Sequence, residues 1–195
     1  LGIGAFYNCP NAFSELDLTN VTEFGQEALK GVSLTRLSIP KLTALPNAST
    51  SIENYGLKTV LEEIVLSDEL TTIPSACFYG YTNLSKIDIP ESVTTIGNNA
   101  FYNCSKLEKE EVNLPNLTSL GQNAFYGVKI KKMNLGALVT LPAATTSSQT
   151  YGDKSVLEEV ILSENVKSIP SDSFLGYTKM KTINLQNVVE FGSSS

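Results

Sequence analysis

Apolar residues recur along this chain in hexads whose first, fourth and sixth places are filled, as in Leu84-Ser85-Lys86-Ile87-Asp88-Ile89 followed by Pro90. The fourth and sixth places alternate with polar neighbours, the period of two that marks a half-buried strand. The last apolar residue of each hexad falls at Leu18, Ile39, Leu66, Ile89, Leu114, Leu135, Leu162 and Leu185, with spacings of 21, 27, 23 and 25, then 21, 27 and 23. The spacings repeat because the chain repeats: Val60 to Thr82 returns as Val156 to Thr178, a period of 96. The pattern predicts two passes of a four-unit block, each unit one short strand, with coils stacked so that the strands pair in parallel.

The remainder of each unit predicts a turn. Its clearest copy is Ile96-Gly97-Asn98-Asn99-Ala100-Phe101-Tyr102-Asn103-Cys104. Gly or Pro marks the bend, Ala permits close approach and Phe fills the coil interior. A short helical or 3₁₀ turn is expected on the outer face. Phe6, Leu29, Phe78, Phe101, Phe125 and Phe174 are expected to stack as a core spine. Two units depart from this rule. Leu45 to Gly56 and Leu141 to Gly152 are longer, rich in Ser and Thr, and poor in large apolar residues. They predict loops bulging from the stack, on the order of 20 Å apart at the spacing of parallel strands.

The run from Ile89 to Cys104, with Pro90, Val93, Thr94, Ile96, Gly97 and Ala100-Phe101-Tyr102, resembles the BspA-like (treponemal-type) leucine-rich repeats, and the resemblance extends over essentially the whole chain. It implies an α/β-type solenoid: a right-handed parallel β leucine-rich repeat, here with eight strands and irregular or short helical outer turns. It also implies a secreted or cell-surface protein of host-associated bacteria or some protozoa, active in adhesion and in binding host or microbial proteins. The family supplies no catalytic residues. Residues 1–195 are read as one solenoid of two blocks, a fragment of a longer protein whose signal and anchor lie elsewhere, since neither end carries a capping unit.

Composition narrows the chemistry. The net charge of −6 argues against nucleic acid and anionic membrane as partners. No apolar run is long enough for a membrane span. Histidine is absent, which removes the usual general base, the usual zinc ligand and any Ser-His-Asp triad. Adjacent carboxylates at Glu62-Glu63, Glu110-Glu111 and Glu158-Glu159 point to opposite faces of a strand and make poor catalytic dyads. No enzyme activity, cofactor or metal is expected. Cys9, Cys77 and Cys104 read as buried free thiols, with Cys9 and Cys104 about four coils apart and out of disulfide reach. A redox pair of Cys77 and Cys104 on adjacent coils is the alternative.

The third place of the hexad carries the candidate site. It reads Glu15, Arg36, Glu63, Lys86, Glu111, Lys132, Glu159 and Thr182 down the stack, alternating in sign for seven coils. In register, these residues form one exposed row with neighbours about 5 Å apart. Opposite neighbours then stabilise by roughly 0.2–1 kcal/mol per pair, and a slip by one coil is penalised. The fifth place is polar except at Val65 and Ile161, in the coils that follow the two Ser/Thr loops. Tyr55 and Tyr151, in those loops, are expected beside Val65 and Ile161 as two equivalent contact points.

The leading expectation is a non-catalytic binding module engaging a host or neighbouring protein, or a glycan, through the exposed sheet face. The alternative is a structural spacer, and an enzyme is the remote third. Exposed strand edges at open ends predict weak end-to-end self-association.

Overall fold

The computed structural model describes residues 1–192. Among these the chain forms twelve short strands and no helix. In order they are β1 (Glu15–Asp17), β2 (Arg36–Ser38), β3 (Glu63–Val65), β4 (Thr72–Ile73), β5 (Thr95–Ile96), β6 (Glu108–Asn113), β7 (Ser119–Leu120), β8 (Lys129–Leu135), β9 (Glu159–Leu162), β10 (Ser168–Ile169), β11 (Thr182–Ile183) and β12 (Glu190–Phe191). The hexads supply β1, β2, β3, β6, β8, β9 and β11, and the eighth rung is a single bridge between Lys86 and Glu63. All pairings are parallel and join equivalent places: Glu15 to Arg36 to Glu63, and Glu111 to Lys132 to Glu159 to Thr182. The chain is therefore a parallel β solenoid of eight turns. A second, shorter ladder runs where the chain enters the outer turn, as β4-β5-β7 and β10-β12.

The outer turns are irregular, and the reason lies in where their backbone groups go. Ala76, Phe78 and Gly80 donate their N–H groups to the carbonyls of Asn98, Ala100 and Tyr102 in the next coil, at 2.7–2.8 Å. Phe101 and Asn103 repeat this onto Ala124 and Tyr126 at 2.7 Å. An N–H committed to the next coil is lost to the i→i−4 bond that a helix needs. The alternation requires left-handed residues four apart, supplied by Ala76 and Gly80, Asn99 and Asn103, and Asn123 and Gly127.

Burial follows the hexad rule. Leu34, Leu37 and Ile39 are fully enclosed, as are Ile130, Met133 and Leu135. Phe78, Phe101 and Phe125 stack at centroid distances of 5.2 Å, and Leu29 is also enclosed. In the first and last of the described coils Phe6 and Phe174 are only partly enclosed, and Ile3, Val189 and Phe191 are exposed. Cys77 and Cys104 are buried free thiols, whereas Cys9 is exposed, contrary to the expectation for all three. It lies in the first of the described coils.

Candidate interaction face

The long Ser/Thr loops return to the core at their tyrosines. Tyr55 and Tyr151 are fully buried, and their rings lie 5.3 Å from Phe78 and 4.9 Å from Phe174. They take the Phe place of coils that lack an Ala-Phe pair. The expectation that they stand at the surface beside Val65 and Ile161 is thus corrected: each ring continues the spine. The loops are pinned from outside, where Lys58 Nζ donates to the Thr50 carbonyl at 2.9 Å and Lys154 Nζ to that of Thr146 at 3.0 Å. Partial burial pulls both ammonium groups below their ordinary pKa.

The charged row is present on the sheet face. Arg36 Nε lies 3.0 Å from Glu63 Oε1, and Lys86 Nζ approaches Glu63 Oε2 at 3.8 Å. Lys132 Nζ sits between Glu111 and Glu159, at 3.8 and 3.9 Å. Beside it runs a second set of pairs that the hexad analysis did not single out. Lys129 bonds Glu108, Lys131 Nζ lies 2.7 Å from Glu110, and Lys181 Nζ lies 2.8 Å from Glu158. The bond to Lys181 holds the Glu158 carboxyl below its usual range, and the bond to Glu110 holds Lys131 above its own.

The row is not continuous over seven coils. β6 pairs only with β8, and no strand joins it to the fourth coil. The cause is local. Two residues lie between Leu84 and Ile87, whereas four lie between Leu107 and Val112, so β6 carries Lys109 and Glu110 in excess of the fourth coil. Lys86 and Glu111 are consequently not partners. Lys109 Nζ instead crosses the joint to Asp88 Oδ1 at 2.6 Å.

Val65 and Ile161 are both half-buried but no longer equivalent. Ile161 lies in an unbroken ladder opposite Asn134. Val65, with Glu63, Lys86 and Asp88, borders a depression of about 450 Å³. A further cavity of about 230 Å³ opens between the fourth coil and β6. The structure therefore brings Arg36, Glu63, Val65 and Lys86 to one site and Glu111, Lys132, Glu159 and Ile161 to another. Between them stands a cleft that the hexad count passed over.

A family model described as BspA type leucine-rich repeat region matches in six copies, over residues 1–108, 42–143 and 144–195. A leucine-rich repeat protein from Bacteroides ovatus has a similar structure, with a TM-score of 0.56 and 19% identity over 93% of this chain and 49% of that one. The chain thus spans about half the length of that protein. A leucine-rich cell surface protein from Faecalibacterium prausnitzii aligns at a TM-score of 0.30 and 14% identity, over 100% of this chain and 76% of its own. No curated protein matches the sequence.

Proposed function

The chain belongs to the BspA-type leucine-rich repeat family, and from that premise we propose that it is a non-catalytic protein-binding module, secreted or displayed on a cell surface, that engages its partner through the charged sheet face. The observation that carries this reading is the grouping of Glu63, Val65 and Lys86 around an open depression, with Arg36 paired to Glu63 beside it. An aliphatic side chain beside a strong ion pair offers a contact that is apolar at its centre and polar at its rim, as protein interfaces require. The remaining face is a flat ladder of paired charges, which suits an extended partner surface. The family resemblance supports adhesion to a host or neighbouring protein as the role of that contact.

The test couples the chain to beads and challenges it with solubilised surface proteins from epithelial cells. In parallel runs Arg36→Glu combined with Val65→Asp and Lys86→Glu, three exposed or half-buried changes. A partner retained by the first and lost by the second supports the module. Equal retention by both would assign binding elsewhere. One observation favours the second reading, a spacer: most charges of the face already neutralise one another within the chain. A spacer would retain nothing specific and would respond only to removal of a whole 96-residue block.

A further inference from the structure

Among the described residues, the junction of the fourth and fifth coils is the one internal junction of the hexad sheet without a backbone hydrogen bond. Up to Lys86 the fourth coil is tied to the third: Ser85 and Lys86 donate to the Glu62 carbonyl, and Ile64 donates to that of Lys86. Beyond that point Ile87, Asp88 and Ile89 make no backbone hydrogen bond to either neighbouring coil among the described residues. Facing them, β6 is an edge strand, paired on its far side to β8 and on its near side to no strand among the described residues. At the other coil junctions of this face, adjacent coils are joined by a ladder or, between the third and fourth, by the bridge at Glu63 and Lys86. Unpaired backbone groups along two facing edges are what a parallel or antiparallel strand from another chain satisfies.

The cleft has an apolar floor and an acidic rim. Leu107, Phe125, Val128 and Ile130 lie beneath it, all enclosed by the coils, while Ile89 is half-exposed in mid-stack where Ile39, Leu66 and Leu114 are buried. Asp88, Glu91 and Glu111 stand at the mouth, with Lys109 the one base among the lining residues. That base is already engaged by Asp88. The opening is written into the chain, since the step from Leu107 to Val112 is two residues longer than that from Leu84 to Ile87 in the fourth coil.

We propose that this cleft is a docking seam for an extended peptide segment of a partner protein, added as a strand along β6, with an aliphatic side chain seated in the cavity and flanking Lys or Arg side chains on Asp88, Glu91 and Glu111. The proposal rests on the reading of the chain as a binding module and names the chemistry of its partner. The cavity of about 230 Å³ admits one or two aliphatic side chains, which suits specificity set by alternate residues of a strand. The net acidic mouth selects against acidic segments.

The probe is a fluorescein-labelled peptide of about seven residues in which Lys alternates with Val or Ile, a length that matches an ordinary strand. Anisotropy is read with the whole chain. Two controls replace Lys by Glu, or place Pro at the central position so that a backbone donor is lost. Binding of the basic peptide, weakened about tenfold or more by either control, supports the seam. So does gain of amide-exchange protection confined to residues 87–89 and 108–113 at saturation. Asp88→Lys, an exposed change, should weaken the basic peptide by about tenfold or more, and deletion of Lys109 and Glu110 should close the seam. No binding of the basic peptide, or equal binding of the proline peptide, overturns the seam. The bead experiment keeps the two readings apart: a partner still retained after the deletion leaves the module standing without the seam.

Discussion

The phenol oxygen of Tyr81 accepts the backbone N–H of Tyr55 at 3.1 Å, with both residues fully buried. The second block repeats the bond, Tyr151 donating to Tyr177 at 3.2 Å. A loop that leaves the stack thus re-enters it on a side-chain acceptor supplied by the next coil. Tyr81→Phe removes the acceptor and strands a buried donor, so it should destabilise by about 1–3 kcal/mol. Urea unfolding would show the loss, and an unchanged midpoint would remove the bond from the account of how the loop is held.

The two spine tyrosines differ at their own hydroxyls. Tyr55 Oη has the Cys77 thiol at 3.3 Å, whereas Tyr151 Oη is buried without a hydrogen-bond partner among the described residues. The counterpart of Cys77 is Ser173, and its hydroxyl is turned to the Pro170 carbonyl at 2.7 Å. Tyr151→Phe should therefore stabilise by about 1 kcal/mol, while Tyr55→Phe should stay within about 0.5 kcal/mol of neutral. Thermal melts of the two variants decide it. A destabilised Tyr151→Phe protein would show that the hydroxyl is satisfied after all.

Stability should fall at alkaline pH. Burial pushes the Cys77 thiol up to about 12 from an ordinary 9.0, and raises Cys104, Tyr55, Tyr81 and Tyr151 above their ordinary values. Each is an acid kept neutral by the fold and free to ionise in the unfolded chain. Well below the ordinary thiol value of 9.0 both states hold these protons and nothing is lost. Above it the unfolded state releases them first, costing up to about 1.4 kcal/mol per group and pH unit. Urea midpoints should be level from about pH 7 to 8.5 and drop steeply beyond pH 10. Thiol alkylation at neutral pH should label Cys9 alone. Labelling of Cys77 in the folded protein would contradict its enclosure.

Charge reversal in the row tests its energetic weight. Lys132→Glu would place three carboxylates side by side where the ammonium now sits between Glu111 and Glu159. All three side chains are more than a third open to solvent or close to it, so the cost should be only about 1 kcal/mol. In 1 M salt, where screening acts within about 3 Å, most of that cost should vanish. A salt-independent loss would point to packing instead of charge.

Backbone geometry makes opposite demands at two turn positions. A Cβ added to Gly121 would fall 2.2 Å from Asn98 N and 2.3 Å from Gly97 C, both backbone atoms that cannot swing away. Gly121→Ala should cost about 2–3 kcal/mol or more. Ala76 sits at φ 55°, a place its column-mates fill with Asn99 and Asn123. Ala76→Gly should gain up to about 1 kcal/mol, because the left-handed strain relieved exceeds the added chain entropy. Equilibrium unfolding of both variants gives the signs.

Much of the architecture was legible because a solenoid is locally encoded. The alternation at Ile87 and Ile89 specifies a strand, its recurrence specifies a stack, and parallel stacking aligns Glu15, Arg36 and Glu63 without any long-range information. The turn residues were legible as turns but not as irregular ones. A pattern such as Asn99-Ala100-Phe101 suits a helical turn as well as the alternating backbone that hands its N–H groups to the next coil, and only the presence of that coil selects between them. Side-chain direction in the long loops was equally undetermined. Tyr55 sits in a polar stretch, yet the vacant rung between Phe24 and Phe78 draws it inward. The chain by itself thus settled the repeat, the strand places and the alternating charges. Tertiary packing decided which tyrosines complete the core, and it turned two residues that the fourth coil lacks, Lys109 and Glu110, into a cleft, because a rung in register with the long β8 cannot also keep register with the shorter fourth coil.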